Sequence, residues 1–190
     1  MKLTRLLPWA FGASILTTGC QYMPWSADNT MNTQTQTMNQ VQVHNAAKAL
    51  GVLVVLNQNE INAAHIALNK SSNPLVRDYA QMLEKAHTQN LNNTMRLSRH
   101  LGITPEQGSV ARTLENKGKQ EANMLKHASG HAFDRAYINA MIQGHRKALT
   151  TIDNLIAHSD NQRVKAHLTD TRAHVASHLQ QARHIWRQMR

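Results

Sequence analysis

Six side chains in this sequence have the type and spacing to hold a metal ion: Glu60, Glu84, His87, His145, His174 and His178. Imidazole nitrogens and carboxylate oxygens are ordinary ligands of Zn, Cu and Fe, and two or three His with one carboxylate hold a single ion without choosing among those metals. Glu84-x-x-His87 and His174-x-x-x-His178 each place two donors on adjacent turns of a helix. Glu60 follows Leu53 and Leu56, His87 follows Leu83, His145 follows Met141, and His178 follows Val175, so each is in register with an apolar stripe. An ionised carboxylate on such a stripe is costly unless a cation or hydrogen bonds satisfy it, which makes Glu60 the informative residue. Two readings follow. In one, Glu60, His87, His145 and His178 bind a transition metal, with Glu84 and His174 as outlying candidates. In the other, Glu60 hydrogen-bonds to His87, His145 or His178 in a metal-free polar layer. His174 and His178 also fit a surface chelate or, with Arg172, Arg183, His184 and Arg187, a solvated basic face.

The elements that would position these residues are helices. From about Asn45 to Lys70 the stripe is Leu50, Leu53, Leu56, Ile61, Ala64 and Ala67 or Leu68. Ser71-Ser72-Asn73-Pro74 is a turn, with Asn73 as N-cap and Pro74 in the first helical position of a second helix. That helix runs to about Leu101, carries Val76, Ala80, Leu83, His87, Leu91 and Met95 inward, and ends at Gly102. The stretch from Thr104 to Gly130 is polar and interrupted by Gly108 and Gly118, which predicts a crossover with one or two short helical pieces. Phe133, Tyr137, Met141, His145, Ala148, Ile152 and Leu155 mark a third long helix to about His158. Asp160 or Asn161 caps a fourth, with Leu168, Thr171, Val175, His178 or Leu179, Ala182 and Ile185 facing in. Four long helices with one longer crossover make an all-α four-helix bundle over residues 44–190.

Composition excludes much else. Three Trp, three Tyr and two Phe in 190 residues leave too few strand formers for a sandwich or barrel. The chain lacks a GxxxxGK[ST] loop, a GxGxxG turn, a GxSxG elbow and a CxxC pair, and no Ser or Cys constellation supports hydrolysis, so no catalytic residue is assigned. The N-terminus carries Lys2 and Arg5, an apolar run from Leu6 to Leu16, then Thr17-Thr18-Gly19-Cys20. This predicts a signal segment over residues 1–19, too short to span a bilayer permanently, with the single cysteine, Cys20, as the lipidated N-terminus of the mature chain. Thr17 stands where a lipobox usually has Leu, and Gln21 is not the Asp associated with inner-membrane retention; outer-membrane attachment facing the periplasm is the expectation. Residues 20–43 are rich in Asn, Gln and Thr and read as a flexible tether.

Two blocks carry a resemblance. Asn57-x-x-Glu60-Ile61, Ala67-Leu68-x-Lys70-Ser71-x-Asn73-Pro74-x-Val76-Arg77, Ala80-x-Met82 and His87 resemble the first helical hairpin of a bacterial family of exported, often outer-membrane, proteins of uncharacterised function with a ferritin-like fold. Gly130-x-x-Phe133-Asp134-Arg135-Ala136-Tyr137, Met141, His145 and His178-Leu179-x-x-Ala182 are similar to its second hairpin. The resemblance spans about residues 45–185. It implies a ferritin-like bundle and brings no established activity. The chain departs from the family at Ala86, where an Asp is usual, and at Arg172-Ala173 in place of Leu-Pro. It also departs from a full di-iron site: a second ExxH is missing, and Asp134 lies about three turns from His145.

Charge supplies the competing functional class. The chain has 21 Lys and Arg against 11 Asp and Glu, and removing residues 1–19 takes away two cations and no acid. Arg163, Lys165, Arg172, Arg183, Arg187 and Arg190 gather in the last helix against Asp170 alone. For an exported, membrane-tethered chain the matching partners are anionic lipids or an acidic protein, and nucleic acid is not expected where aromatics for base stacking are so few. The sequence thus supports an envelope lipoprotein that binds a metal in its bundle, or a non-catalytic interaction lipoprotein that uses its basic C-terminal helix.

Overall fold

A computed structural model of the chain describes residues 38–189. The expected signal segment, Cys20 and most of the expected tether lie outside these residues. Five helices are formed: α1 (Gln40–Lys70), α2 (Pro74–Leu101), α3 (Ser109–His127), α4 (Gly130–Ala157) and α5 (Gln162–Gln188). Among the described residues there is no strand, and no helix is long and apolar enough to cross a membrane.

Local chemistry sets most of the helix ends. Asn73 accepts from the Leu75 amide and Pro74 opens α2, while Gly102 at φ 64° closes it. Asn161, not Asp160, caps α5 through the amides of Arg163 and Val164. At the same α1–α2 turn, Arg77 donates to the Ser71 carbonyl at 3.1 Å and also bonds the Leu68 carbonyl, capping the last turn of α1. Two boundaries differ from the sequence expectation. Helix α1 starts at Gln40, inside the stretch read as tether, because Asn39 and Gln42 form a reciprocal capping box. The polar crossover is one 19-residue helix, not short pieces. Ala111, Leu114, Gly118, Ala122 and Leu125 recur on one face of α3, and a Cβ at Gly118 would collide with the Asn59 side chain of α1. Asn59 in turn donates to the Leu114 carbonyl at 2.9 Å. The glycine that reads as a helix breaker is what lets this helix lie against its neighbour.

Cross-helix contacts fix the topology. Ser71 meets Asp134, and Glu60 reaches the α4 backbone at Gly144, so α1 and α4 are antiparallel. Tyr79 meets the backbone of His178, Asn90 meets Thr171 and Thr94 meets His167, so α2 and α5 are antiparallel as well. Helix α3 starts beside Lys48 and ends beside Lys70, returning the chain along α1 to the end where α4 begins. The result is a ferritin-like four-helix bundle of α1, α2, α4 and α5 with α3 as the crossover.

Two apolar clusters fill the bundle, and a third, smaller one of Val52, Val55 and Ala111 joins α1 to α3. Of the first two, one contains Ala64, Ala67, Val76, Leu83, Leu125, Phe133, Tyr137 and Ala182; the other contains Leu50, Leu53, Ile103, Ile152, Val164 and Leu168. Phe133 stacks on Tyr137 with ring centroids 6.2 Å apart, Asp134 accepts from Ser71 at 2.6 Å, and Arg135 lies over the Trp186 ring. The Phe-Asp-Arg-Ala-Tyr motif therefore closes one end of the bundle. Between the two clusters lies a polar layer. The inward line of α1 passes through Asn57 and Glu60, with Leu56 and Ile61 only half-buried, and that of α2 passes from His87 to Asn90, Thr94 and Ser98 instead of Leu91 and Met95.

Candidate metal centre

Three histidines from three helices meet in this layer. His87, His145 and His178 are buried, and one ligating nitrogen from each lies within 4.8 Å of the other two. Ring centroids are 6.0 Å apart for His87 and His145, 5.2 Å for His87 and His178, and 5.6 Å for His145 and His178, with the planes inclined by 61° to 80°. Helical packing alone brings them together. His145 and His178 occupy inward positions flanked by Met141 and Ala148 and by Val175 and Ala182, and burial of those neighbours forces the rings into the interior.

Hydrogen bonds aim two of the rings. Asn57 donates through Nδ2 to the Leu53 carbonyl at 2.7 Å, so its Oδ1 is left to accept from Nδ1 of His87 at 2.9 Å. Nδ1 of His145 donates to the Met141 carbonyl at 2.8 Å. Both rings therefore carry the proton on Nδ1 and turn an Nε2 lone pair inward, as metal-binding histidines do when their other nitrogen is held by an oxygen acceptor. Among the described residues nothing takes up those lone pairs. Among the described residues, the buried side-chain nitrogen and oxygen atoms without a hydrogen-bond partner are His87 Nε2, His145 Nε2, His178 Nδ1, Glu60 Oε2 and Tyr137 OH. Buried polar atoms are normally paired, so five orphans in a single buried region is a pattern with a cause.

Glu60 lies beside His145 without hydrogen-bonding to it: its Oε1 stands 3.9 Å from Nδ1 of that ring, and Oε2 is fully covered. Burial pushes its carboxyl up to about 8. Burial also lowers His145 to about 4, partly offset by the Met141 carbonyl, and lowers His178 to about 3 and His87 well below its ordinary value. The rings are thus neutral at ordinary pH, the state in which imidazole ligates a metal. Glu60 and His145 are not an ion pair, because both are uncharged near neutral pH. The metal-free layer in which Glu60 satisfies the rings is not what the geometry provides.

The other candidates lie elsewhere. Glu84 is turned to the outside of α2, where its Oε1 contacts Nε2 of His65 on α1 at 2.8 Å; both side chains are well exposed. It does not join the centre, because residues three apart on a helix diverge by about 60° and His87 holds the inward position. His174 is exposed, one turn from His178 on α5. Two further participants were not legible from apolar periodicity. Asn57, which orients His87, is one; Glu121 of the crossover helix is the other. Burial and the nearby charge of Glu60 push Glu121 up to about 7, partly opposed by His145 and Lys147. The signal for Asn57 was its place three residues before Glu60 on the same face.

Fold and site together define a helical bundle protein with a buried cluster of three histidines and a carboxyl beside it. The chain belongs to the family described as a domain of unknown function (DUF4142), whose model matches residues 30–185. Its fold is similar to that of a solved structure described as CopM in the Cu(II)-bound form, with a TM-score of 0.59 and 16% identity, covering 76% of this chain and 97% of that one. No curated protein matches the sequence.

Proposed function

We propose that this protein is an envelope-anchored lipoprotein that binds one divalent transition-metal ion in the bundle, through His87, His145 and His178, with Glu60 as the fourth ligand. The observation that carries the reading is the set of inward lone pairs with no partner: a cation takes up the free nitrogens and Glu60 Oε2 together, converting buried polar atoms that cost stability into ligands. The three nitrogens already lie within 4.8 Å of one another and must draw in to metal–nitrogen distances of about 2.0–2.1 Å, while Glu60, outside that group and beside His145, must turn its carboxylate toward the ion to complete the set. Three imidazoles and a carboxylate suit Zn or Cu, and the general affinity order puts Cu(II) first. The likeness to a protein solved with Cu(II) bound agrees with that choice. Cys20 supplies the membrane anchor and places the domain on the periplasmic side of the outer membrane.

The test is elemental analysis and equilibrium titration of the purified chain with Cu(II), Zn(II) and Fe(II). The expected result is one ion per chain, with binding lost in His87→Ala, His145→Ala and His178→Ala and kept in His127→Ala. No ion above trace stoichiometry ends the metal reading. For the anchor, Cys20→Ala is expected to move the protein from the membrane to the soluble fraction; retention in the membrane would overturn it.

A further inference from the structure

We infer that the groove between α2 and α5 is the route by which the ion enters and leaves the centre, with Asp170 and His174 capturing it and passing it to His178. This rests on the metal reading above. The groove encloses about 450 Å³ and has His167, Asp170, Thr171, His174 and His178 along its α5 wall. His178 belongs both to that wall and to the buried cluster. Thr171 likewise lines both the groove and the small inner cavity that contains Glu60, His87 and His145. The groove and the centre are therefore adjacent, with His178 common to both.

Three features make the groove suited to a cation. His167, Asp170, His174 and His178 follow one another at intervals of three, four and four residues, so they fall on one face of α5 about one turn apart and offer a nitrogen or carboxylate oxygen at each step. In a chain with 21 Lys and Arg, none lines this groove, whereas the shallow depressions on the outer face of α2 are edged by Lys85 and Arg96. Asp170 is the groove's carboxylate and meets an incoming cation first by charge. The crossover helix α3 packs over α1 and α4, covering the approach to the centre from that side. On the α2–α5 face His178 itself lines the groove.

Rapid mixing of the full chain with Cu(II), followed by the visible absorption of the bound ion, separates route from site. His174→Ala and Asp170→Asn are expected to slow capture roughly ten-fold, the low end of what a charged cleft contributes. One-ion stoichiometry and equilibrium affinity should stay unchanged, so release slows equally. Ala86→Trp, which fills the opposite wall without removing a donor, is expected to slow capture too, and His184→Ala, outside the groove, to leave it unchanged. Wild-type capture rates in His174→Ala and Ala86→Trp would overturn the route while leaving the centre standing. A weaker affinity with an unchanged capture rate in His174→Ala would make His174 a ligand and also overturn it. A wild-type chain that binds no ion fails the metal reading itself.

Discussion

Two buried polar regions lie one turn apart in this bundle and handle their hydrogen bonds in opposite ways. Along the α2–α5 seam, Asn90 and Thr171 bond each other at 3.1 Å, Thr94 bonds the Asn90 carbonyl and His167, and Ser98 bonds the Ile103 carbonyl at 2.6 Å. In the adjacent layer, His87, His145, His178 and Glu60 each keep an inward atom without a partner. The same helices supply both regions and burial is similar, so poor packing does not account for the difference. Satisfied polar groups of the first kind align helices; unsatisfied ones of the second kind cost free energy that only a ligand recovers.

The comparison can be broken most decisively by adding the ion. Cu(II) at about a thousand times its dissociation constant should raise the unfolding free energy by about 4 kcal/mol. That gain should vanish in His145→Ala, as read by urea denaturation with and without metal. Next, Thr171→Val leaves Asn90 without its partner and is expected to destabilise the metal-free protein by about 1–3 kcal/mol. Glu60→Gln breaks no existing hydrogen bond and removes a carboxyl that burial forces to stay protonated, so it should raise the metal-free stability near neutral pH; a loss equal to that of Thr171→Val would erase the distinction between the regions. Asn57→Ala frees the His87 ring and should weaken metal affinity about 10- to 100-fold without changing stoichiometry.

The unsatisfied layer also has a pH signature. His145 and His178 have lowered values in the fold, so unfolding takes up protons below their ordinary 6.5 and stability rises with pH toward that point. Glu60 is raised from 4.5 to about 8 and Glu121 from 4.5 to about 7, so unfolding releases protons in that range and stability falls as pH rises. His87, also lowered, adds to the first effect. The metal-free protein is therefore expected to be most stable near pH 6.5 and to lose about 1 kcal/mol per pH unit above it. Thermal melts of wild type and Glu60→Gln between pH 5 and 8 check this, the variant showing a shallower decline. The smallest effect belongs to Glu84→Gln: its carboxylate is an exposed partner of His65, so stability should change by less than about 0.5 kcal/mol and metal affinity not at all.

Much of this was legible in the chain because helices advertise their inner faces. Phe133, Tyr137, Met141, His145, Ala148 and Ile152 fall at helical spacing and all are buried, and the Asn73-Pro74 start and Gly102 stop of α2 stand where the sequence puts them. Where the inward residues are polar, the pattern fails: Asn57, Asn90, Thr94 and Ser98 look like surface until their partners on other helices are known. Gly118 misleads for a related reason, since its small size matters only against Asn59.

The sequence by itself determined that the chain forms four long helices, each with its donor in register with an apolar stripe. That information is local, carried by side-chain period and capping residues within each helix. Only the tertiary structure decided which donors meet. Three rings from α2, α4 and α5 converge while Glu84, three residues from His87, faces the outside. Convergence depends on the rotation of each helix about its axis and on the register between helices, and these are set by long-range packing that no single segment encodes.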